Sequence, residues 1–89
     1  MAKEQKCKNG TRIAQLLLVD DEKIIRTELY VLINNKPTLF AVGVATSSTL
    51  LGVFILQPDG KILRYGSSDQ DKLPEPCSAA QALLDKSKK

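Results

Sequence analysis

The side chains best suited to chemistry are the acidic run Asp20-Asp21-Glu22, the cysteines Cys7 and Cys77, and the serines at 47, 48, 67 and 68. Adjacent carboxylates can hold a hard cation or form a solvated turn, and the turn is the reading adopted for residues 20–22. The chain contains no His. The serines therefore have no imidazole to activate them, and two Cys without His cannot close a structural zinc site. Cys7 lies in a polar, Lys-rich leader with no base placed beside it. Asp59 occupies a turn that favours Asp for conformational reasons, and Asp69 and Asp71 fall in a polar linker. The glycines at 10, 43, 52, 60 and 66 do not form a phosphate cradle. The expectation is a non-enzymatic protein with no catalytic residue, no metal site and no cofactor.

The stretch LLLVDDEKIIR, residues 16–26, resembles the opening of a response-regulator receiver domain. In that family an apolar first strand delivers paired acidic residues to magnesium, a role the resemblance would give to Asp20 and Asp21. The pattern stops there. The phospho-accepting Asp expected around Lys61–Ser67 is missing from KILRYGS, and 89 residues are too few for a doubly wound five-stranded fold with its helices.

Charge separates the ends from the middle. The formal charge is +3, yet residues 1–12 carry net +3, residues 85–89 net +2, and residues 13–84 net −2. The basic balance belongs to the tails and is read as solvated termini. A secondary alternative is nucleic-acid binding through Lys3, Lys6, Lys8, Arg12, Arg64, Lys86, Lys88 and Lys89, with Arg64 and Phe54 as a small sheet-face platform. The N-terminal segment lacks an apolar signal region and no run is long enough to span a membrane, so a cytoplasmic protein without membrane contact is expected. In that compartment Cys7 and Cys77 are expected as free thiols, with a bridge between them as the alternative.

The elements that would position these residues make one small α+β domain over 11–87, after a flexible basic leader at 1–10. Thr11 reads as a cap for a helix over the following segment, although RIAQLLLV is also an apolar run that fits a buried strand. Four antiparallel strands in up-and-down order follow over about 24–67. In the first of them Ile25, Thr27, Leu29, Val31 and Ile33 alternate against Arg26 and Glu28. The Asn34-Asn35-Lys36-Pro37 segment is turn chemistry. Gln57-Pro58-Asp59-Gly60-Lys61 is the strongest turn, since Pro presets φ and Gly supplies the left-handed residue. Residues 68–77 form a loop, and Ser78 caps a C-terminal helix.

Pairing the last hairpin across its turn sets Val53 opposite Tyr65, Phe54 opposite Arg64, Ile55 opposite Leu63 and Leu56 opposite Ile62. Both faces of the sheet then carry apolar side chains, as do both faces of 38–46, where Phe40, Val42 and Val44 oppose Leu39 and Ala41. An antiparallel sheet ordinarily leaves one face polar. The surplus face points to a small protein-binding module, a regulator or subunit of a complex, that uses Phe54, Leu56, Ile62 and Arg64 against a second copy or a heteromeric partner.

Overall fold

The computed structural model describes residues 2–87. One antiparallel sheet runs in sequence order from β1 (Ala2–Lys6) through β2 (Arg12–Val19), β3 (Ile25–Ile33), β4 (Lys36–Ala45) and β5 (Leu50–Leu56) to β6 (Ile62–Tyr65). A 3₁₀ segment, Ser67–Lys72, leads to the helix α1, Pro76–Ser87. The fold is α+β with an antiparallel sheet and a C-terminal helix, as expected, but the sheet has six strands rather than four.

Both additional strands come from the N-terminal segment. Ala2–Lys6 is an edge strand rather than a flexible leader, paired with β2 from Ala2 against Leu16 to Lys6 against Arg12. Its Lys and Glu side chains suit an edge, where charge discourages further pairing. The segment after Thr11 is the strand β2, not a helix, and pairs with β3 from Ile13 against Val31 to Val19 against Ile25. The apolar run RIAQLLLV thus follows the sheet between two partners instead of its local helix propensity. Thr11 caps no helix; it is buried at the end of the 7–11 turn, where its amide donates to Asn9 Oδ1 at 2.9 Å.

The turns agree with their chemistry. Asn34 and Asn35 both have positive φ, 54° and 64°, and form the two-residue connection between Ile33 and Lys36. Lys36 and Pro37 already belong to β4. At the 57–61 turn Gln57 N donates to Lys61 O at 2.8 Å, Asp59 Oδ1 accepts from Lys61 N at 2.9 Å, and Gly60 takes φ +90°. The β5–β6 register is the one expected from the turn, from Val53–Tyr65 to Leu56–Ile62.

Strand β4 departs from simple alternation. Leu29 pairs with Ala41 and Tyr30 with Leu39, so Phe40 is an extra residue in a bulge. The bulge turns Phe40 into the core beside Ala41, both buried, and breaks the expected grouping of Phe40 with Val42 and Val44.

The helix covers only one side of the sheet. Ile13, Val31, Phe40, Ala41 and Ile55 form a core with Ala80 of α1, and Leu73, Cys77, Ala79 and Leu83 pack against it. Ala80 is fully buried, so a small side chain sits where helix and sheet come closest. α1 crosses the end of the sheet that carries the 7–11 and 57–61 turns. Its Gln81 accepts from Asn9 Nδ2, while Ala82, Asp85 and Lys86 flank Pro58 and Asp59.

Cys7 and Cys77 are bridged, with an S–S distance of 2.04 Å and Cα atoms 5.9 Å apart, which corrects the expectation of free thiols. The bridge fastens the β1–β2 turn to the first turn of α1. The linker is also shorter than expected, because the 3₁₀ segment takes up Ser67–Lys72 and the helix starts at Pro76, two residues before Ser78. No helix among the described residues is long and apolar enough to cross a membrane.

Candidate interaction surface

Every strand that contributes to the core also sends alternate side chains to the other side of the sheet. There Leu16, Glu28, Val42, Phe54 and Arg64 form one row from β2 to β6. Ala14, Tyr30 and Leu39 form the next. No described element packs over this side. Leu39 is 42% exposed, Phe54 39% and Ile62 63%.

The four residues chosen from the sequence lie together on this open face. Phe54, Leu56 and Ile62 line a shallow hollow of about 170 Å³ with Leu39 and Val42. Arg64, directly across from Phe54, holds its guanidinium carbon 5.8 Å from the ring centroid. That distance suits a cation–π contact, which keeps the Arg stem flat along the apolar surface.

Strand β3 interrupts the apolar surface with a polar ladder that sequence alternation implied but did not assemble. Tyr30 Oη donates to Glu28 Oε1 at 2.6 Å, and Arg26 Nε lies 3.3 Å from Glu28 Oε2. The hydrogen bond to Glu28 raises the Tyr30 pKa above its ordinary 10.0, reinforced by desolvation and the carboxylate's charge and opposed by Arg26. At the β1–β2 edge Arg12 donates to Glu4 Oε1 at 2.7 Å and to Asn35 Oδ1 at 3.1 Å. The carboxylates of this face are therefore already engaged within the chain. Leu39 and Val42 were missed as members of the hollow, because only the Phe40 bulge sets their direction.

The other candidate groups do not converge. Asp20 Oδ1 accepts from the amides of Glu22 and Ile24 at 3.0 and 2.9 Å, which makes Asp20 part of the β2–β3 turn. Among the described residues no group of three or more His, Cys, Asp or Glu could hold a metal ion. Of the basic residues, Lys3 and Lys6 fall on opposite faces of β1, Lys8 lies in the 7–11 turn, Arg12 is paired with Glu4, and Arg64 stands at the far edge of the sheet. Lys86 is on α1, while Lys88 and Lys89 lie outside the described residues. They form no single patch. On the inner side, a cleft of about 560 Å³ between β1–β3 and the start of α1 is lined by Lys3, Gln5, Gln15, Thr27 and Glu75. No buried side-chain nitrogen or oxygen among the described residues lacks a hydrogen-bond partner, so no buried polar group waits there for a ligand. Compared with known proteins, the chain matches no family model, no curated protein and no solved structure.

Proposed function

We propose that this chain is a non-enzymatic protein-binding module that docks a protein surface on the open face of its sheet, centred on Phe54, Leu56, Ile62 and Arg64. The observation that carries this reading is the hollow where Phe54, Leu56 and Ile62 meet Leu39 and Val42, with the core residues Phe40 and Ala41 also lining it. A sheet with apolar side chains on both sides leaves one side in water unless a partner covers it. The carboxylates of that face, Glu4 and Glu28, are already engaged by Arg12 and by Tyr30 and Arg26, so desolvating the face leaves neither of them without a donor. The Cys7–Cys77 bridge supports an oxidising working environment in place of the cytoplasm, because such bridges persist where thiols are not kept reduced.

A photo-cross-linking amino acid at position 62, compared with one at position 86 on α1, tests the reading in the native host. Protein adducts from position 62 that survive high salt and are absent from position 86 are the expected result. Adducts to nucleic acid alone, or equal labelling from both positions, overturn it and favour the Lys-rich alternative.

A further inference from the structure

We propose that the Cys7–Cys77 bridge is a redox latch: it holds α1 on the inner side of the sheet, and a dithiol reductant entering the adjacent cleft releases the helix. The latch is independent of what docks on the open face. α1 has little else to hold it. The side chains it contributes to the core are Cys77, Ala79, Ala80 and Leu83, and only Leu83 is large. Small side chains remove little apolar area from water. A helix of 12 residues is marginal on its own, so α1 depends on docking to stay folded. The bond from Asn9 Nδ2 to Gln81 Oε1 lies at the surface, where water can replace it. The sheet, in contrast, is closed by its own backbone pairing. Ile13 meets Val31 and Ala41 meets Ile55 across neighbouring strands without the helix.

Access is the second argument. Cys7 is buried. Cys77 is half-buried and lines the inner cleft of about 560 Å³ with Glu75, Pro76, Lys3, Gln15 and Leu29, whereas Cys7 does not reach it. A thiolate arriving by this route meets the Cys77 sulfur first. Its sulfur bonds to Cys77 Sγ as the Sγ–Sγ bond breaks. The electron pair leaves on Cys7, which takes a proton from water. The second thiolate of the reductant then displaces Cys77, which is protonated in turn, and the reductant departs as its own disulfide. Two electrons pass to the protein. Only the 66–75 connection then tethers α1, and Ile13, Val31, Ala41 and Ile55 lose their cover.

The test compares the oxidised and the dithiothreitol-reduced full chain by hydrogen exchange with mass spectrometry. On reduction, residues 76–87 should exchange at least about tenfold faster, while β3–β5 stay within about twofold. Unchanged exchange in α1 overturns the latch, because the helix then docks without the bridge. Helix and sheet losing protection together overturns it equally, because the bridge then staples the whole fold. The double variant Cys7→Ser with Cys77→Ser should reproduce the released helix without reductant, and a variant unable to fold counts with the second of those outcomes. The route is read separately by brief treatment with 2-mercaptoethanol, acid quench and alkylation. The adduct should fall on Cys77, and the alkylated thiol on Cys7, by about tenfold over the reverse. An adduct mainly on Cys7 overturns entry through the cleft.

Discussion

The two sides of one sheet are made by the same strands, yet only one is a core. On the inner side Val31 and Phe40 are essentially inaccessible, while on the open side Ile62 keeps 63% of its surface. Hydrophobicity does not separate them, since Leu, Val, Ile and Phe side chains stand on both. The difference lies in the connection after β6. The 3₁₀ segment and α1 return over the inner side, and the bridge to Cys7 holds them there. A core is thus defined by what the chain can bring back to cover it, and the residual apolar side is the part of the molecule available to others.

The comparison can be broken most forcefully from the inner side. Phe40→Ala should cost about 4 kcal/mol in denaturant unfolding, because the bulge commits the ring to a packed site. Replacing both Cys7 and Cys77 with Ser should cost about 3 kcal/mol, read in the same way. The proposed oxidising environment is tested on the unsubstituted chain: protein isolated from its host under acid quench should resist alkylation until it is reduced. Ala80→Leu should cost about 2 kcal/mol by forcing α1 away from the sheet, with helix content largely kept in circular dichroism. On the open side Ile62→Ser should change unfolding of the isolated monomer by no more than about 0.5 kcal/mol. A large loss there would mean that the open face stabilises the monomer itself, and would erase the contrast.

The finest test uses the β3 ladder. Tyr30 should ionise above the ordinary tyrosine value, and Glu28→Gln should bring it back down, followed by ultraviolet absorbance. Because the folded pKa is raised, the associated stability is present below the unfolded value of about 10 and is lost as pH rises through the folded one.

Much of the β3–β6 meander was legible because its turns are chemically specific. Pro58 and Gly60 fix one hairpin, Asn34 and Asn35 fix another, and a fixed hairpin fixes its register. The four residues expected on the outer face of β5–β6 are neighbours for that reason. The N-terminal half was less legible. RIAQLLLV has no periodicity that distinguishes helix from buried strand, and AKEQK carries the composition of a solvent-exposed tail although an edge strand tolerates it equally well. The inward turn of Phe40 depends on one extra residue in β4, which no alternation rule anticipates. The bridge depends on where the chain returns in space, and its cysteines lie 70 residues apart.

That separation makes most of the chain a covalent ring, from Cys7 through the sheet to Cys77, with β1 and nearly all of α1 as tails outside it. A protease that cuts once inside the ring, for instance after Lys61 in the exposed 57–61 turn, opens a backbone but releases no fragment. The nicked molecule gains one water in mass and keeps both pieces together until a reductant arrives. In surroundings where proteases are common and reductants scarce, proteolytic damage is converted from a loss of parts into a change of connectivity.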